Sequence, residues 1–170
     1  DLNPEQSRVC FNLALALAES GRADEAVKEL ERIAVKDPEN RDLLEALAYA
    51  YHAQGQDAKA IETYRRILVS SPENSRALFN AAVLLWKQGA KEEALEMLQN
   101  LLRQKPDDLQ ALYQEARLLA ELGRDRLAAG SLERYLQERP EEAAAHLQLG
   151  DLYRRLENYD LALEAYSRAL

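Results

Sequence analysis

The five prolines of this chain stand at Pro4, Pro38, Pro72, Pro106 and Pro140, each 34 residues from the last. A glycine ladder, Gly21, Gly55, Gly89 and Gly123, keeps the same step. Two residue types locked to one register make the sequence a tandem repeat. Units of this size are too small to bury a core alone and gain one by stacking on their neighbours.

Stepping by 34 from Ser7, Arg41, Ser75, Leu109 and Ala143 aligns two columns of small residues. The first is Ala14, Ala48, Ala82, Ala116 and Gly150; the second is Ala26, Ala60, Ala94, Ala128 and Ala162. Small residues facing one another on successive helices permit close axial approach. The glycines fall between the columns, where a helix ends in a left-handed residue, and each proline falls where a second helix must stop. Each repeat therefore reads as helix A, a tight turn and helix B. Asn40, Asn74 and Asp108 are placed to cap the next helix A, and the acid after each proline (Glu5, Glu39, Glu73, Asp107, Glu141) suits that helix's positive end. Leu44, Leu47, Ala48 and Tyr51 share one helical face, as do Ile61, Tyr64, Ile67 and Leu68, and both faces are assigned to the core.

These columns resemble the tetratricopeptide repeat. The second repeat supplies Leu44, Leu47, Ala48, Tyr51, Ala60, Tyr64 and Pro72 to that pattern, and the last supplies His146, Leu149, Gly150, Tyr153, Ala162, Tyr166 and Ala169. The resemblance spans one domain over residues 1–170, with repeats at 7–40, 41–74, 75–108, 109–142 and an incomplete 143–170, and 1–6 as the tail of a preceding repeat or a linker. It implies an all-α, right-handed superhelical solenoid of antiparallel helix pairs. It also implies a concave wall lined by helix A that holds an extended or helical polypeptide.

Composition narrows the partners. Lys+Arg 22 against Asp+Glu 30 gives a net charge of −8, and the basic clusters are doublets such as Arg65-Arg66 and Arg154-Arg155, which argues against a nucleic-acid backbone as ligand. The apolar run from Leu13 to Ala18 is too short for membrane insertion. The opening Asp1-Leu2-Asn3-Pro4 lacks an initiator Met and reads as part of a longer chain, while the single Cys10 fits a reducing compartment and also permits the periplasm. Paired cysteines, a phosphate loop and a His-Glu-x-x-His stretch are all missing, so the sequence offers no catalytic, cofactor or metal site. His146 and Cys10 share a core-facing column and read as packing residues.

With helix A as the inner wall, the candidate partner-binding residues are Arg8, Phe11, Asn12, Tyr49, His52, Arg76, Phe79, Asn80, Trp86, Tyr113, Gln114, Arg117 and Gln148. Phe11, Phe79 and Tyr113 share one register position and either face a ligand or pack between neighbouring helices. The next position carries Asn12, Ala46, Asn80, Gln114 and Gln148, similar to the asparagine ladders of superhelical repeat domains, and an amide can grip a peptide backbone as donor and acceptor at once. The clamp by which some family members hold a chaperone's terminal carboxylate is not formed, because Phe11/Leu15, Glu45/Tyr49 and Phe79/Val83 stand at its positions. Acids near Glu45 and bases toward Arg154 and Arg155 suggest a graded charge along the wall that orients the ligand. A second reading is a self-associating scaffold that joins copies through the ends of the solenoid, making a homo-oligomer.

The fourth repeat departs from the pattern. Glu115 replaces the helix A leucine, with Tyr135 as its expected hydrogen-bond partner, and Gly130 sits inside helix B, where it costs about 1 kcal/mol relative to alanine. This repeat is expected to be the softest internal one. Amide hydrogen exchange should be faster over helix B of the fourth repeat than over that of the second; equal protection would refute the expectation.

Overall fold

The computed structural model describes the backbone of residues 4–170 and the side chains of residues 9–170. The expectations for Glu5 and for Arg8 as a wall residue fall on side chains outside that range. Among the described residues the regular structure is entirely helical, in the order α1 (Pro4–Glu19), α2 (Ala23–Ala34), α3 (Arg41–Ala53), α4 (Asp57–Ser70), α5 (Ser75–Lys87), α6 (Lys91–Gln104), α7 (Leu109–Glu121), α8 (Asp125–Glu138), α9 (Ala143–Arg155) and α10 (Tyr159–Arg168). The odd-numbered helices from α3 onward begin at the register positions Arg41, Ser75, Leu109 and Ala143. Helix α1 begins at Pro4 instead of Ser7, so it takes in residues assigned to a preceding tail or linker. A proline in the first turn leaves no bond unmade, because that N–H lacks an intrahelical acceptor anyway.

The chain divides into two compact units, one running to Leu85 and the other from Trp86 to Leu170. In the first unit α1 packs on α2 and α3, α2 packs on α3, and α3 packs on α4. In the second, α6 packs on α7, α7 on α8, α8 on α9 and α9 on α10. Both small columns are buried throughout, from Ala14 to Gly150 and from Ala26 to Ala162. Gly150 has a specific reason to lack a side chain: a Cβ there would lie 2.5 Å from Cε1 of Tyr166, whose ring lies against that backbone.

Capping follows the register. Asn40, Asn74 and Asp108 each accept, through a side-chain oxygen, the N–H three residues on, at 3.1, 2.9 and 3.0 Å. The four ladder glycines all adopt positive φ, between 71° and 85°. At Gly55 the Gln56 N–H reaches the Tyr51 carbonyl at 2.8 Å while the Gly55 N–H reaches that of His52 at 2.9 Å, a Schellman closure. The same pair of bonds closes α9, from Asn158 to Tyr153 at 2.8 Å and from Glu157 to Arg154 at 3.1 Å. There the left-handed residue is Glu157, at φ 60°.

Two ties between helices repeat in register. The hydroxyl of Tyr51 donates to Glu31 at 2.7 Å, joining α3 to α2, and Tyr153 donates to Glu133 in the same way between α9 and α8. The Glu115 carboxylate is buried and paired, but by Ser131, whose hydroxyl donates to it at 2.7 Å; the expected bond to Tyr135 is not made. Ser131 lies opposite Glu115 on the adjoining helix, while the Tyr135 ring turns to Tyr113 with centroids 5.2 Å apart.

Glycine adopts a left-handed conformation without the clash that costs an L-residue roughly 1–2 kcal/mol. Glu157→Gly is therefore expected to raise stability by about 1 kcal/mol, read as a higher denaturation midpoint in urea. An unchanged or lower midpoint would show that the closure at α9 carries no strain.

Candidate functional site

In the first unit, Phe11 on α1 and Tyr49 on α3 are both half-buried and lie with ring centroids 6.3 Å apart, tilted by 47°. They pack between neighbouring helices and also line the first-helix face. Asn12 is exposed, whereas Ala46, at the next position of its column, is fully buried. Asn80 on α5 donates through Nδ2 to the Tyr64 hydroxyl at 3.2 Å. Burial, more than any neighbouring charge, pushes that hydroxyl up to about 12, so it stays protonated as part of the scaffold. Phe79 is half-buried, and exposed His52 places Nδ1 2.6 Å from Asp57 Oδ1 across the α3–α4 turn.

Glu45 requires a correction. It is not an open acid of the wall but a buried carboxylate that accepts from Asn74 Nδ2 at 3.0 Å and pairs with Arg76. A buried carboxylate needs such partners to offset lost hydration.

In the second unit Trp86 is held from two sides. Its Nε1–H donates to Glu121 Oε2 at 2.9 Å, and the Arg117 guanidinium lies 5.0 Å from the ring centroid. Lys91 reaches the same Glu121 oxygen at 2.9 Å. The hydrogen bond from Lys91, followed by that from Trp86, holds the Glu121 carboxyl below the usual carboxylate range. Gln148 on α9 donates through Nε2 to the Tyr113 hydroxyl on α7 at 2.7 Å, and Gln114 lies 3.4 Å from Arg117 Nη1. The amides of Asn80 and Gln148 thus spend a donor on a tyrosine hydroxyl, which leaves their carbonyl oxygens for other donors.

Beside Trp86 a cleft of about 250 Å³ opens between α7 and α9, with Ala116, Ala120 and Leu152 in its lining and Arg117, Glu121, Gln148, Asp151 and Arg155 around it. Arg155 pairs with Asp125 at 2.7 Å and Arg154 lies 3.7 Å from Asp151, so each of these two bases has an acid beside it. A larger cleft, about 480 Å³, lies between α8, α9 and α10 with His146 among its lining residues. His146 is buried, and its Nε2–H donates to the Pro140 carbonyl at 2.7 Å. Cys10 is buried as well, and burial followed by nearby Glu29 pushes its thiol up, away from the reactive thiolate.

Sequence reasoning missed the hydroxyl partners of Asn80 and Gln148, which lie 16 and 35 residues away on neighbouring helices. It also missed Glu121 as the partner of Trp86. The paired ties Tyr51–Glu31 and Tyr153–Glu133 did leave a signal, since each spans 20 residues and the two sit three repeats apart.

No set of three or more His, Cys, Asp or Glu residues among those described is placed to hold a metal ion, and no described helix is long and apolar enough to cross a membrane. Tandem antiparallel helix pairs, glycine-closed turns and side-chain-capped first helices define an all-α helical-repeat protein. Two family models described as tetratricopeptide repeat match the chain, one over residues 11–75 and 113–170 and the other over 51–122. The chain belongs to the tetratricopeptide-repeat family, a family of protein–protein interaction scaffolds. Among solved structures it is similar to a crystal structure of MamA protein, at TM-score 0.86 and 20% identity over 99% of this chain and 92% of that one. It is also similar to MamA 41-end from Desulfovibrio magneticus RS-1, at TM-score 0.82 and 19% identity over 96% and 92% of the two chains. No curated protein matches the sequence.

Because the folded state lowers the pKa of Glu121, its ion pair adds stability above the carboxyl's unfolded pKa and loses it as pH falls through the lower folded value. Trp86 is the chain's one tryptophan, so its fluorescence should change with a midpoint below 4.5, and Glu121→Gln should abolish that transition. A midpoint at or above 4.5 would contradict the arrangement.

Proposed function

We propose that the first-helix faces hold an extended or helical polypeptide, each unit presenting its own stretch of that surface. The carrying observation is the α7–α9 cleft beside Trp86, where small apolar residues are ringed by amide, guanidinium and carboxylate groups. A polypeptide offers what such a surface takes: a side chain for the apolar lining, backbone N–H groups for the amide carbonyl of Gln148, and carbonyls or a carboxylate for Arg117. Trp86 is half-buried and fixed by Glu121, so ordering it on binding costs little entropy. Arginine and tryptophan together are the residue types that most often dominate interface energetics. In the first unit Asn12 and the Phe11–Tyr49 pair present a surface of the same amide and aromatic chemistry.

The test begins with capture of bound proteins by the wild-type chain, followed by affinity measurement for each against a Trp86→Ala, Arg117→Ala, Gln148→Ala variant. Loss of about tenfold or more, roughly 1.4 kcal/mol, is expected while helicity by circular dichroism is unchanged. Equal affinity of the variant would reject this face as the working surface.

A further inference from the structure

Among the described residues, the charged groups lining the cleft between α7 and α9 are matched with a single exception. Glu121 accepts from Trp86 and from Lys91, at 2.9 Å each. Asp151 accepts from the Tyr166 hydroxyl at 2.8 Å and has Arg154 3.7 Å away. Arg155 pairs with Asp125 at 2.7 Å. Arg117 lines the same cleft, yet no described carboxylate stands within ion-pair distance of it. Its guanidinium makes one long contact, 3.4 Å from Nη1 to Gln114 Oε1, and lies 5.0 Å from the Trp86 ring centroid. This base is particular to the fourth repeat, since its counterparts at the same register position are Leu15, Tyr49, Val83 and Asp151.

The contact with the indole takes up no acceptor and leaves the N–H fork of Arg117 to pair elsewhere. A carboxylate is the group whose two oxygens and charge match that fork, whereas a backbone carbonyl offers one oxygen and no charge. Beside the guanidinium, Ala116, Ala120, Leu132 and Leu152 line a space of about 250 Å³, room for one aliphatic side chain. Gln114 stands a turn before Arg117 on α7 and Glu121 a turn after, so a segment lying along that helix passes Arg117 without ending there. The acid that meets it is therefore a side chain and not a chain terminus.

We propose that the polypeptide held on this face carries an acidic side chain, Asp or Glu, that pairs with Arg117, next to an aliphatic side chain that enters the α7–α9 cleft. This rests on the reading of the first-helix face as a polypeptide-binding surface and names the chemistry its ligand must have. The chain's net charge of −8 disfavours an acid over most of the surface, so the open base of this cleft also sets the register of the bound segment.

The test selects a synthetic library of random-sequence peptides with amidated C termini, in parallel on the wild type and on Arg117→Glu. Arg117 is exposed, so circular dichroism should show the helicity of the variant unchanged. The wild type is expected to enrich peptides with Asp or Glu close to Leu, Ile, Val or Met. Arg117→Glu is expected to lose them and to enrich Lys or Arg in their place. For a peptide so selected, exchanging its acid for the matching amide should weaken binding to the wild type by about tenfold and leave binding to Arg117→Gln unchanged. Peptides enriched without an acidic preference, or with the same preference on both chains, would overturn this proposal while the polypeptide-binding reading stands. An acidic preference met only by the terminal carboxylate of a library with free C termini would overturn it too. Failure of the wild type to enrich any peptide would reject the polypeptide-binding reading, and this proposal with it.

Discussion

The whole structure depends on how closely its helices approach. Alanine or glycine stands at every place in the two columns that run from Ala14 to Gly150 and from Ala26 to Ala162, and all of them are buried. Small residues at a crossing point let the larger side chains around it interdigitate instead of holding the helices apart. Gly150 shows how narrow the tolerance becomes, because the Tyr166 ring fills the space that even one methyl would need. The turns supply the second condition, reversing the chain within a few residues and satisfying the last carbonyls of the preceding helix. Together these make the hairpin a standard part.

Such a part leaves its polar groups to be matched by neighbours. Tyr51 with Glu31 and Glu115 with Ser131 join different helices, and Glu45 on α3 is joined to Arg76 on α5 and to Asn74, the residue that caps α5. The two buried carboxylates are the consequential cases, since an unpaired charge there would cost several kcal/mol. Matching also limits what a partner can read. Arg154 and Arg155 are engaged by acids on their own unit, and Lys91 by Glu121, so the surface offers few uncommitted charges along the first-helix faces. Near Trp86 the indole donates to Glu121 and the Arg117 guanidinium lies over its ring. The polypeptide-binding reading proposed for this face rests on those amphipathic side chains around a small apolar cleft.

Much of this was legible in the chain. Helix pairs, turns, caps and both small columns could be read from a 34-residue register, because local backbone demands recur identically in each repeat. Glu157 at the ladder position departs from the glycine pattern, yet the turn it occupies still closes in the same way. Candidate wall residues were legible as positions but not as environments. Glu45 looked like an open acid and is buried, and Glu115 found Ser131 instead of Tyr135. Sequence alone determined the repeat, its helices and the face on which each residue stands, since these follow from periodicity and short-range sterics. Only the tertiary structure decided which polar groups spend their bonds on one another and which remain for a partner, because that depends on distances of an ångström between side chains 16 to 35 residues apart.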